Sequence, residues 1–297
     1  KVSLAFLGAD GKVIRELKGE VQAEASKPTE LRAGGPPPPP AATEAIKSEG
    51  GAAEQQPSPE AGEERGEEEE AGGRRRDLDK LPTITNGHNR VSWNLRAPEA
   101  KRFPGMILWA GGTLGPRVLP GTYTARLTVG DQTMTAPLEV RQDPRTTASA
   151  ADLKAQFDFL MSVHDKLSQV NEQIGRIRDV RKTLTDVKKR AGDNKAVTDA
   201  ANDLDKKMTA VEEALYQTRN RSSQDPLNFP IRLNDKLAGV GDSAAAGAFA
   251  PTAQQVAVRD QLVVQIDAEL AKLKAIWDTD LPAFNKVVRD QNVPAIR

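Results

Sequence analysis

Apolar residues recur along this chain with two different periods, and the change of period divides it. Near the start, Val2, Leu4 and Phe6 alternate with Ser3 and Ala5, the spacing of a half-buried strand. Asp10-Gly11 sits in the turn 8–12, between that run and the run 13–17. Asp-Gly between alternating runs marks a β-hairpin. Further short β-rich runs follow at 88–96, 105–110, 122–129 and 133–141, punctuated by Gly and Pro. Together they predict an antiparallel β-sandwich of about six or seven strands.

Near Ser149 the period lengthens. Leu153, Phe157, Leu160, Val163, Leu167, Val170, Ile174, Ile177, Val180, Leu184, Val187 and Ala191 follow in steps of three and four, which puts one apolar stripe on one helix face. Ser149 with Asp152 resembles a capping box at its start, and Gly192-Asp193-Asn194 stops it. The spacing predicts a helix of about 40 residues, roughly 60 Å long. Val197, Ala201, Leu204, Met208, Val211 and Leu215 continue the period on a second helix folding back. Thr252 and Gln255 form a capping box after Pro251 and open a third helix with Leu262, Ile266, Leu270, Leu273 and Trp277. Pro282 lies just inside a last short helix that Pro294 closes. A short helical piece is expected at 230–238 and a mobile Ala/Gly loop at 239–250. Residues 148–297 therefore read as an antiparallel bundle of three long helices.

Between the first hairpin and the later strands the pattern fails. Residues 25–80 hold Pro36 to Pro40, an acidic run Glu67 to Glu70 and a basic run Arg74 to Arg76, with Ile46 the exception to an almost complete lack of apolar residues after Leu31. Such a stretch cannot bury enough surface to offset its ordering entropy. It reads as a disordered insertion, self-neutralising in charge, in a sandwich formed by 1–24 and 81–143. The fold class is α+β and multidomain.

Composition narrows the function classes. Lys+Arg and Asp+Glu both number 42, so the chain lacks the basic excess of a general nucleic-acid binder. Basic residues cluster at Arg176, Arg178, Arg181, Lys182 and 188–190, but Asp179 and Asp186 are interspersed and aromatics are not. That favours a solvated helix face over a nucleic-acid surface. There is no Cys, which excludes disulfides and thiolate chemistry. No apolar run reaches the roughly 20 residues of a membrane span. The first residue is Lys1, as expected of a chain cut from a longer precursor.

Candidate chemistry is sparse. The two histidines, His88 and His164, fall in different units, and no carboxylate pair stands out. The stretch 111–116 lacks the Gly-Lys-Ser/Thr of a phosphate loop. No catalytic, cofactor-binding or metal-ligating residue is assigned, and no cofactor is expected. The remaining feature is RVSWNLRAPEAKRFPGMILWAGG, which holds Trp93 and Trp109. Alternation places Trp93 with Val91 and Leu95, and Trp109 with Ile107. Both are expected in the sandwich core, with Trp109 the one still open to a surface ligand contact.

Specific residues carry a resemblance. VSLAFLGADGKVIREL, the Trp-bearing NRVSWNLR and PGTYTARLTV, where Tyr123 pins a strand corner, resemble Ig-like modules of the flagellar-hook-cap type. The longer order is distinctive. GHNRVSWNLRAPEAKRFPGMILWAGGTLGPRVLPGTYTARLTVGDQTMTAPLEVRQDPR, a long helix and a terminal TDLPAFNKVVRDQNVPAI resemble the C-terminal region of bacterial sortilin-like, BNR/Asp-box repeat proteins, often labelled glycosyl hydrolases. The resemblance implies an Ig-like sandwich, export to the envelope or beyond, and a β-propeller upstream as partner. No Asp-box is present, so no propeller residue carries over. The expected function is a non-catalytic accessory or assembly region acting by protein–protein contact. Two alternatives stay open: a carbohydrate- or peptide-binding module, and a region completing the site of an upstream propeller hydrolase.

Overall fold

The computed structural model describes residues 1–21 and 79–294. The insertion expected at 25–80 therefore lies outside the described residues, except for Asp79 and Lys80. The architecture is α+β: one small antiparallel sheet followed by helices.

The sheet has four strands in the order β2-β1-β3-β4. β1 is Val2–Leu7, β2 Val13–Gly19, β3 Gly121–Val129 and β4 Gln132–Val140. Gly11 takes φ 75° in the first turn and Gly130 φ 56° in the last. These are conformations that side-chain-bearing residues resist. Register gives each face its character. Leu4 pairs with Leu17 and Leu127, Phe6 with Ala125, and Tyr123 with Leu138, so one face is apolar. The other carries Ser3, Glu16, Arg126, Thr128 and Thr133 by alternation.

Among the described residues one irregular segment covers the apolar face. Lys18 N–H donates to the Asp79 carbonyl and Leu81 N–H to the Lys18 carbonyl, so the chain rejoins along β2. Leu81 and Ile84 are buried beside Val2, Phe6 and Leu17, with Val91 and Trp93 packed against them. Trp93 stacks on Phe6 at 4.2 Å and meets Tyr123 edge-on at 6.0 Å. Its indole N–H donates to the Arg96 carbonyl. Arg15 is almost fully buried and donates to Asp79 and Asn94, which ties β2 to both ends of the cover. The Tyr123 hydroxyl donates to the Leu119 carbonyl.

The expected strands at 88–96 and 105–110 do not form. Residues 88–94 form no ladder, Leu95 lies in a bend, and Arg96 makes only an isolated bridge to Arg117. Leu95 has φ 57°. That twist turns its side chain away from Val91 and Trp93 and leaves it 39% exposed. Residues 105–110 are seated on the helices. Among the described residues the sheet therefore has one layer of strands, and Trp93 supplies the bulk a second layer would bring.

The helices follow the 3.6-residue pattern closely. α1 is Ala150–Ala191, capped by the reciprocal Ser149–Asp152 pair; α2 is Lys195–Leu215, capped by Asn194. α3 is Leu233–Ala245 and α4 Ala253–Ala275, the latter opened by the Thr252–Gln255 box. The 239–250 stretch is thus mostly helix, not loop. Leu237, Ala238, Gly241 and Ala244 are buried, and a stripe of small residues allows close helix packing. α4 runs on through a π-turn, Ile276–Asp280, into α5, Leu281–Asp290. Pro282 has no N–H to return to the preceding turn, and the helix widens just before it.

α1 packs on α2 and α3, α4 on α2 and α3, and α5 on α2. Val163, Leu167, Val170, Ile174, Ile177, Leu184 and Val187 fill the core as their spacing predicts; at the start of α1, Phe159 is buried instead of Leu160. Among the described residues no helix is long and apolar enough to cross a membrane.

Trp93 is the largest side chain under the sheet. Trp93→Ala should cost about 3 kcal/mol, read as a lower urea midpoint for loss of β-sheet circular dichroism. A loss below about 1 kcal/mol would show that the sheet is held by other contacts.

Candidate functional site

The densest set of buried polar contacts lies where residues 97–118 cross the helices. Ala100, Phe103 and Met106 belong to the helical core, not the sheet core. Phe103 meets Tyr216 edge-on at 4.9 Å, and the Arg178 guanidinium lies over both rings, at 4.5 and 5.4 Å. Lys101 N–H donates to Ser168 Oγ, and Asn171 Nδ2 donates to the Lys101 carbonyl at 2.8 Å. Asn234 donates to Asn171, and both are fully buried. Ile107 N–H donates to the Tyr216 hydroxyl at 3.0 Å.

Two buried carboxylates anchor this arrangement. Glu212 accepts from Arg178 at 2.9 Å and from Arg181 at 2.8 Å. Arg178 also donates to the Pro104 carbonyl, and Arg181 to Asp205 and Thr209. Side-chain exposure is 3% for Glu212 against 29% and 33% for the two arginines. The pair is buried on its acidic side, and one partner lost would leave the other charge poorly solvated.

Asp235 lies in the first turn of α3. Its carboxylate accepts from Trp109 N–H at 3.1 Å and from Ala110 N–H at 2.8 Å. Gly112 N–H donates to Asp242, two helical turns further on. Between them, Gly111 meets the helix backbone directly: a Cβ there would stand 2.3 Å from the Ala238 carbonyl carbon. Only glycine allows that approach.

Trp109 is 56% exposed, so the expectation that it is core is corrected. Its backbone is pinned while its ring stays in solvent. Beside it, Ala110 helps line a shallow groove of about 560 Å³ between α3 and α4, with Ile231, Gly239, Val240, Val258 and Leu262. A second shallow groove, about 500 Å³, runs between Phe103-Pro104 and α1 at Gly175 and Val180.

No family model matches the chain, and neither a curated protein nor a solved structure matches it. His88 is exposed in the sheet cover, while His164 lies on α1 with Nδ1 2.9 Å from Asp165. The two are not brought together. Among the described residues no three His, Asp or Glu side chains converge as metal ligands. The buried ionisable groups Arg15, Glu212 and Asp235 are each engaged in fastening one segment to another.

The sequence pattern did not single out Asp235, Glu212, Asn171 or Asn234. Glu212 had a readable signal: it falls four residues after Met208 and three before Leu215, on the buried side of α2. It stands opposite the arginines of α1. The Gly111-Gly112 pair was the other signal, since paired glycines mark close backbone approach.

Gly111→Ala should destabilise the fold by about 2–3 kcal/mol, measured by urea unfolding; an unchanged midpoint would contradict the close approach. Asp235 adds a pH test. Burial holds its carboxyl above the usual carboxylate range, against the pull of the Ala110, Trp109 and Gly111 amides. The folded state therefore holds this proton more tightly than the unfolded chain. That increment of stability is complete below the ordinary carboxylate pKa and is lost as pH rises through the folded value. Asp235→Asn removes it, so between about pH 3 and pH 7 the stability of the variant relative to the parent should rise. A relative fall would mean that the amide bonds outweigh burial.

Proposed function

We propose that the chain is a non-catalytic accessory and assembly region of a larger exported β-propeller protein, working through packing and protein–protein contact. Its first unit is an Ig-like sheet module and its second a bundle of long helices. The observation that carries this reading is the use made of the buried charges. Glu212 holds Arg178, which donates to the Pro104 carbonyl, and Asp235 holds the Trp109 and Ala110 amides, so among the described residues these two buried carboxylates serve to fasten the segment 97–118 to α1, α2 and α3. The Tyr123–Leu119 bond supports the Ig-like assignment, because a tyrosine returning its hydroxyl to the backbone just upstream is a corner device of such sheets. Exposed apolar residues supply contact surface. At the β3–β4 end Val129 is 41% and Met134 59% exposed, on the face that elsewhere forms the sheet core.

A second reading, a ligand-binding module, is favoured by one observation: the exposure of Trp109 beside an apolar groove. Aromatic side chains presented this way form contact platforms for ligands and partners.

Two measurements on the precursor and the chain test the first reading. Deleting this region should lower the melting temperature of the upstream propeller or abolish its secretion. The purified chain should hydrolyse neither glycan nor peptide substrates above the buffer rate. Turnover by the chain, or a precursor indifferent to the deletion, would overturn the reading.

A further inference from the structure

We infer that the groove between α3 and α4 is a binding site for a medium-chain aliphatic carboxylate, with Lys236 taking the anionic head. The walls are built at helical spacing. Lys236, Gly239, Val240 and Ser243 line it from α3, and Gln254, Val258 and Leu262 from α4, with Ala110 and Ile231 completing the lining. Residues 236 to 243 place its ends roughly 10 Å apart at 1.5 Å per residue. That length suits a saturated chain of about eight to ten carbons. Gly239 lets Ala110 pack directly against the α3 backbone at the groove's edge, and the volume of about 560 Å³ lies in the range of small-molecule sites.

Charge selects the ligand. Among the described residues Lys236 is the one charged side chain that lines the groove. Elsewhere on these helices Lys154, Lys195, Lys274 and Lys286 each pair with an acid four residues on. Around Lys236 the positions three and four residues away are Arg232, Leu233, Gly239 and Val240, so no carboxylate stands one turn off. Arg232 adds a second cation one turn before it. Among the described residues Lys236 makes no ion pair, and a shallow apolar groove with an exposed ammonium at one end is complementary to a molecule with an apolar body and a single negative end. Ser243, Gln254 and Gln255 leave the far end polar, which limits the length of the apolar part. This site stands apart from the assembly reading, since it needs neither a propeller nor a partner protein.

The test is isothermal titration of the whole chain with decanoate below its micellar concentration. Decanol and decyltrimethylammonium serve as neutral and cationic controls. Decanoate is expected to bind saturably at one per chain, and both controls about tenfold or more weakly. Lys236→Glu should weaken decanoate about tenfold. Val258→Gln, at a position 44% exposed, should weaken all apolar-bodied probes alike. Both substitutions are on the surface, so an unchanged thermal melt confirms that the fold is intact. Absent saturable binding, equal binding of the cationic control, or decanoate affinity untouched by either substitution overturns the inference.

Discussion

Everything in this molecule hangs on how residues 97–118 are seated. That segment leaves the cover of the sheet, enters the helical core with Phe103 and Met106, and returns to begin β3. Its passage requires irregular backbone to be buried, and buried amides must find acceptors. Asp235 meets that requirement for Trp109 and Ala110, Tyr216 for Ile107, and Ser168 for Lys101. Gly111 and the Ala238 backbone fix the distance. Among the described residues the sheet and helices have separate apolar cores, and this segment, rather than a shared hydrophobic layer, joins them.

The polar fastening has a physical logic. A loop sealed only by apolar contacts could slide along α3, because hydrophobic burial is non-directional. Carboxylates and amides of fixed geometry set one register. The same reasoning explains why the Glu212 network sits where it does. Arg178 covers the Phe103 and Tyr216 rings while donating to Glu212 and to Pro104. One guanidinium thus holds loop, α1 and α2 together through its planar face and its edge.

Periodic features were legible in the sequence and non-periodic ones were not. The stripe from Val163 to Val187, the Ser149 and Thr252 caps and the Asp10-Gly11 turn are local signals, each set by residues within a turn or two. Residues 105–110 carry the composition of a strand, but their amides are claimed by Asp235 and Tyr216, more than 100 positions away in sequence. Trp109 and Ile107 alternate as strand residues do, yet no strand forms and Trp109 faces solvent. The small residues from Gly239 to Ala245 read as a loop by propensity. Packing against α1 and α4 overrides that preference. Trp93 went to the sheet core as alternation predicts, although its neighbour Leu95 left the shared face through a positive φ.

The central claim is that residues 103–111 are seated on the helices, with Phe103 and Met106 in the helical core. Native-state hydrogen exchange tests it most directly. The amides of Ile107, Trp109 and Ala110 should be protected to nearly the same opening free energy as those of Ile174 and Ile177 in mid-α1. Exchange at the rate of a surface loop, with α1 still protected, would contradict the claim.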